Sequence, residues 1–155
     1  MDQLLQEERS SGRRRRLPDC RDDQWIREQL GRHGVVAVVG MSPRLDRPSR
    51  RVGLYLSNRG FTVIPVHPVA ERVADLRAYS SLEAIPRDVG VEIVDVCVAA
   101  KRVGPIADQA AQIRARVIWF QPGAENPAEE ERAKELGLDV VSGRCIMADY
   151  RRLIG

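Results

Sequence analysis

The run Val35-Val36-Ala37-Val38-Val39-Gly40-Met41-Ser42-Pro43-Arg44-Leu45-Asp46-Arg47-Pro48-Ser49 carries the strongest structural signal in the chain. Its first five residues are apolar and mostly β-branched, the composition of a strand covered on both faces of a parallel sheet. Gly40 breaks the run, and a polar, arginine-bearing turn leads to a helix beginning near Ser49. Such a turn presents backbone N–H groups at a helix start, where anions are favoured. The stretch predicts a buried strand that delivers a loop to a phosphate-bearing ligand.

The same alternation continues toward the C-terminus. Phe61 to Val66 reads as a second strand after a helix that Asn58-Arg59-Gly60 ends. Ile93 to Val98 is the next strong strand, and a helix from Val103 or Pro105 to Arg114 follows it. Val117 to Phe120 is a strand, Pro127 to Leu136 a helix closed by Gly137, Leu138 to Val141 a strand, and Ile146 to Leu153 a final helix. Between Pro68 and Pro86 the pattern is weaker: a loop with a short extended piece over Val69 to Tyr79, then a helical turn over Ser81 to Ile85. Strands alternating with helices predict an α/β fold, a Rossmann-like open parallel sheet of about five strands with helices on both faces. In such folds ligands sit beyond the carboxyl ends of the strands. That rule selects four loops: Gly40 to Ser49, His67 to Glu71, Ala99 to Pro105, and Gln121 to Asn126.

Toward the N-terminus, Trp25, Ile26 and Leu30 recur at helical spacing behind Asp22 and Asp23, predicting a leading helix over Asp22 to Arg32. Residues 1–20 hold the Arg13 to Arg16 run and few apolar positions, the composition of a flexible, solvated, arginine-rich tail. One globular unit, residues 21–155, accounts for the rest, and 43% hydrophobic residues in a 155-residue chain suffice for its core.

Composition also narrows the function. Basic residues number 25 against 22 acidic, a net charge of +3, which disfavours a nucleic-acid partner. No stretch reaches the roughly 20 apolar residues of a membrane span, and the polar start lacks the centre of a secretion signal. Cys20, Cys97 and Cys145 are odd in number and widely spaced, so they form neither a disulfide framework nor a zinc ligand set. A reducing, cytoplasmic location is expected.

The turn itself separates ligand classes. A dinucleotide fingerprint needs G-x-G-x-x-G and an acid about 20 residues on for the ribose hydroxyls. Here only Gly40 of the glycines is present, and the second strand ends in His67-Pro68. NAD is disfavoured, as is a Walker A nucleotide, because no G-x-x-x-x-G-K-[ST] loop occurs. What remains is Ser42, Ser49 and nearby arginines, a set suited to a ligand with several phosphates. His33 and His67 are the only histidines, and no catalytic constellation or metal-ligand spacing is found.

These residues carry a resemblance. The turn Gly40 to Ser49, with Val63-Ile64-Pro65-Val66-His67-Pro68, Val94-Asp95-Val96, Trp119-Phe120-Gln121-Pro122-Gly123 and Gly143-Arg144-Cys145, resembles the small stand-alone CoA-binding proteins. Those are similar to the CoA-binding domain of the succinyl-CoA synthetase α subunit. The resemblance, from about Val35 to Asp149, implies noncovalent binding of coenzyme A or an acyl-CoA. It implies that Gly40, Met41, Ser42, Arg47 and Ser49 form the diphosphate loop, and that Pro68 with its neighbour His67 borders the adenosine end. Val98, Ala99 and Ala100 would contact the adenine or the start of the pantetheine arm, with Gln121, Gly123 and Asn126 farther along the same edge. The chain departs from the family pattern at His67, at Cys97-Val98, and at Gly143-Arg144-Cys145-Ile146 with Asp149.

Alternatives stay open at several positions. His67 either bonds a ribose or caps a strand end; Asp95 either satisfies buried backbone or marks an exposed strand end. Trp119 and Cys97 read as core. Cys145, beside Arg144, is either a packing residue or a reactive thiol opposite the thiol of coenzyme A, the latter making the chain a CoA-dependent enzyme or redox protein. An NAD(P)-binding oxidoreductase with a degenerate loop is the further alternative. Acyl preference and oligomeric state have no sequence signal.

Overall fold

The structure, a computed structural model, describes residues 19–155, so the Arg13 to Arg16 run lies outside the described residues. Within it the apolar run Val35–Val39 is strand β1, paired in parallel with Thr62–Val66 (β2). The loop after β2 contains a small antiparallel hairpin of Arg72–Val73 (β3) and Leu76–Arg77 (β4). Ile93–Val96 (β5) pairs with the other side of β1, followed by Val117–Phe120 (β6) and Asp139–Ser142 (β7). The resulting five-stranded parallel sheet has the order β2-β1-β5-β6-β7, the expected α/β, Rossmann-like architecture.

The helices sort into two layers by the apolar faces they bury. Asp23–Leu30 (α1), Pro48–Asn58 (α2) and, at the end of the chain, Ile146–Leu153 pack together on a core that contains Leu30, Val38, Leu56, Trp119 and Tyr150. Ile106–Gln112 (α3) and Pro127–Glu135 (α4) pack on a second core with Ala37, Ile106, Ile118, Phe120 and Leu138, and Ile146–Leu153 is α5. Successive residues of one strand feed opposite cores, Trp119 one and Ile118 and Phe120 the other. A parallel sheet covered on both faces demands this, and it explains why β5 and β6 are buried along their whole length. Trp119 is fully buried, as its apolar surroundings predict, and its indole N–H donates to the Arg144 carbonyl at 2.8 Å.

Local chemistry sets the element ends. Asp22 caps α1 by accepting the Gln24 N–H, so the helix begins at Asp23 and ends at Leu30, inside the range the spacing predicts. Pro48 stands at the first position of α2, where its missing N–H is harmless. Three stretches differ from expectation. β5 stops at Val96: the Cys97 N–H still donates to the Val39 carbonyl, then the chain leaves the sheet toward a 3₁₀ turn at Ala100–Arg102. The helix expected from Val103 or Pro105 starts at Ile106, with Pro105 as its cap. The loop before Pro86 holds the β3–β4 hairpin, whose turn places Ala74 at φ 52°, and Ser81 to Ile85 is a turn in which the Ala84 N–H reaches the Ser81 carbonyl and hydroxyl.

Candidate functional site

The carboxyl ends of β1, β5 and β6 open into a cleft of about 750 Å³. Its first wall is the turn after β1. Gly40 sits at φ 86°, in the left-handed region, and a β-carbon there would stand 3.1 Å from Val98 Cγ1 and 3.4 Å from the Cys97 backbone. Only glycine meets both conditions. Met41 then turns inward and is fully buried. Its sulfur and terminal methyl occupy the space a side chain at Gly53 would fill, since a β-carbon there would lie 2.4 Å from both. A glycine inside α2 therefore clamps the turn onto the helix.

Two serines close the turn. The Ser42 N–H donates to Ser49 Oγ at 3.0 Å, and the Arg44 N–H donates to Ser42 Oγ at 3.1 Å. Each hydroxyl, having accepted an amide proton, keeps its own hydrogen for another acceptor. The N-terminus of α2 lies here too, with no side-chain cap and no acidic residue in its first turn. Arg44, Arg47, Arg51 and Arg102 line the cleft, and no carboxylate does. Arg44 is held by Asp46 at 3.5 Å; among the described residues, Arg47, Arg51 and Arg102 have no carboxylate within ion-pair distance. Unpaired guanidinium groups at a helix N-terminus suit a multiply charged anion.

The far side of the cleft is built by β2, β5 and β6. His67 lines it, and its Nδ1 accepts the Val69 and Ala70 N–H groups at 3.1 and 2.9 Å. The ring thus caps its own loop, and its neutral form carries the proton on Nε2. Beneath lies a polar floor. Asp95, fully buried, accepts from Gln121 Nε2 at 2.6 Å and from the Cys97 thiol at 3.6 Å. Burial drives the Asp95 carboxyl up to about 7, against the opposing pull of its bonds from Gln121 and Cys97. Burial, with the Asp95 carboxyl beside it, also pushes the Cys97 thiol up. Asp95 therefore belongs to neither expected class: it is buried, and its partners are side chains.

Of the residues singled out from sequence, Gly40, Ser42, Arg47, Ser49, His67, Val98, Ala99, Gln121 and Gly123 line this one cleft. Met41 lies behind it in the core, while Pro68 and Ala100 stand outside the lining. Asn126 is occupied in holding two loops together: it caps α4 through the Glu129 N–H at 3.2 Å, and its Nδ2 donates to the Ala100 carbonyl at 3.2 Å. Cys97, expected in the core, is half-buried and reaches the cleft because β5 ends before it. Arg51, one of the arginines the sequence sets near the turn, also lines the cleft, whereas sequence reasoning passed over Arg102 and Met147. Arg102 lies in a loop the strand-end rule selects, so its charge was the available signal; Met147 arrives from α5, which that rule does not reach.

Cys145 also lines the cleft, as the residue that precedes α5. Arg144 turns away from it: its guanidinium grips Asp149 at 2.8 and 2.9 Å and reaches Asp23 at 3.8 Å. Arg152 joins the same carboxylates, tying α1 to α5.

Comparison with known proteins agrees with this geometry. The family model described as a CoA binding domain matches residues 34–151. The uncharacterized protein YneT of Bacillus subtilis is 34% identical over 121 residues, covering 78% of this chain and 88% of that one. The ADP-forming acetate–CoA ligase II of Archaeoglobus fulgidus is 32% identical over 123 residues, which cover 75% of this chain but only 17% of the ligase. A solved hypothetical protein from Pyrococcus horikoshii superposes with a TM-score of 0.84 at 37% identity, covering 90% of this chain and 97% of the other. Matched across both the turn and the cleft loops, this chain is a member of the CoA binding domain family.

Proposed function

We propose that the cleft binds coenzyme A or an acyl-CoA, noncovalently and reversibly, with the diphosphate against the turn after β1. The observation that carries this reading is the pairing of an uncapped helix N-terminus and two serine hydroxyls with four arginines and no carboxylate. Coenzyme A carries a diphosphate and a ribose phosphate, so it meets a wall of donors without an acid to repel it. The acid that would clamp a ribose diol in an NAD site is replaced at the end of β2 by His67.

On this reading Gly40 allows the backbone to approach the phosphates, Ser42 and Ser49 donate hydroxyl hydrogens, and Arg47 supplies charge. Val98 and Ala99 border the adenine or the head of the pantetheine arm, with Gln121 and Gly123 beyond. Residues 21–155 act as one binding unit. Among the described residues no helix is long and apolar enough to cross a membrane. A reducing, cytoplasmic setting fits cysteines that are odd in number and widely spaced along the sequence.

The test is a thermal-shift series under reducing conditions with coenzyme A, acetyl-CoA, NAD, NADP and ATP. A ligand at 100 times its Kd stabilises by about 2.7 kcal/mol, and only the two CoA species should shift the melt. Arg47→Ala and Ser49→Ala should each weaken CoA binding about tenfold. A shift with NAD and none with coenzyme A would overturn the assignment.

A further inference from the structure

Two thiols face the cleft, and the ligand proposed for it ends in a third. Cys97, just past β5, and Cys145, just before α5, line the same cavity. The two differ in their surroundings. The Cys97 thiol is committed to the buried Asp95 carboxyl, which together with burial keeps it protonated. Cys145 makes no side-chain capping bond to its helix and lines the cleft.

The Cys145 backbone is rigidly set. The preceding carbonyl, of Arg144, accepts from the buried Trp119 indole at 2.8 Å, and the Cys145 carbonyl accepts the Asp149 N–H at 3.0 Å. Asp149, itself buried, is gripped by Arg144 and Arg152. A thiol carried on this held backbone, in a cavity whose apolar lining includes Val52, Val98 and Met147, stands where a pantetheine arm would pack.

We propose that Cys145 exchanges with the disulfide of oxidised coenzyme A, so that the chain carries one CoA as a mixed disulfide; this rests on coenzyme A being the ligand of the cleft. The Cys145 thiol gives its proton to solvent, and the thiolate attacks one sulfur of the CoA disulfide. The S–S bond of that disulfide breaks as the Cys145–CoA bond forms. The second CoA departs as a thiolate and takes up a proton. Cys145 is oxidised by the disulfide, whose departing half is reduced, and no other oxidant is consumed. Dithiothreitol reverses the step and frees the ligand.

The experiment is intact-mass analysis of the full chain incubated with CoA disulfide, followed by peptide mapping without reductant. A single CoA adduct on Cys145, released by dithiothreitol and absent from Cys145→Ser, is expected. Reaction with CoA disulfide should be about tenfold or more faster than with glutathione disulfide, because the cleft holds the reacting sulfur in place. An unchanged mass in protein whose melt coenzyme A does shift would overturn the exchange and leave the binding assignment standing. Adducts spread over Cys20 and Cys97, or equal rates with the two disulfides, would overturn it too. No shift with coenzyme A would remove both readings together. Mapping on the parent chain gives the answer even if the serine variant fails to fold.

Discussion

Replacing Asp95 by Asn should make the protein more stable at pH 8, with a clearly smaller gain at pH 5 that vanishes only below about pH 4. The carboxyl is fully buried, and burial raises it from an ordinary 3.8 to about 7. Between those values the folded protein holds a proton that the unfolded chain releases, so stability falls as pH rises. The favourable contribution is complete below about 4 and gone once the carboxyl ionises above about 7. About three pH units at about 1.36 kcal/mol each give a loss of about 4 kcal/mol, the upper limit of the effect.

Asn reproduces the protonated acid at every pH. Its oxygen can accept from Gln121, as Asp95 does at 2.6 Å, and its amide can face the Cys97 sulfur where the acid now accepts at 3.6 Å. The assay is urea unfolding of both proteins at pH 5, 6.5 and 8. Subtracting one curve from the other cancels the groups they share, and Cys97, whose thiol lies above its usual range, does not titrate in this window. The difference should grow steadily in favour of the Asp95→Asn variant as pH rises. A difference that stays flat from pH 5 to 8, or one that favours the parent at pH 8, would refute the reasoning.

Two further outcomes follow from packing. Gly53→Ala would ordinarily strengthen a helix by about 1 kcal/mol, yet here it should cost about 1–2 kcal/mol, because the new β-carbon meets the buried Met41 side chain at 2.4 Å. Combined with Met41→Ala the loss should be smaller than the sum of the two single losses, a coupling that a double-mutant cycle by urea unfolding would read. Asp149→Ala should cost about 3 kcal/mol, since it strips a buried partner from Arg144 and Arg152, whereas Asp23→Asn, on the exposed side of the same network, should cost much less.

The parts of the fold that could be read from sequence are those whose signal is local. β1, β5 and β6 are unbroken apolar runs because both faces are covered, and Pro48, Gly60 and Gly137 mark helix ends through their own backbone preferences. The β3–β4 hairpin was legible only as a short extended piece, and its pairing was not, because its strands are two residues long and its turn uses Ala74 where glycine would have announced it. In the candidate site the turn after β1 was legible for the same local reason. Asp95 was not, because the side chain that explains it, Gln121, lies 26 residues away, just past the neighbouring strand. Nor was the engagement of Asn126, whose partner Ala100 is brought near only when the loops after β5 and β6 meet.

The geometry of the turn also changes how it should hold an anion. The sequence predicts bare amides along the turn and at the helix start, and within the turn the Ser42 and Arg44 amides are already bonded to serine hydroxyls. The groups left to face a phosphate are the uncapped start of α2, the two O–H hydrogens, each polarised by the amide behind it, and the side chains of Arg47, Arg51 and Arg102. Hydroxyl bonds are short-ranged and indifferent to ionic strength, whereas exposed guanidinium charge is screened within about 8 Å at 0.15 M salt. Ser49→Ala removes one donor and orphans the Ser42 amide, so its loss of CoA affinity should be the same at low and high salt. Arg47→Ala should lose most of its effect as salt rises. Calorimetric titration of both variants at two salt concentrations separates the contributions, and identical salt dependence for the two would mean that the hydroxyls do not contact the ligand.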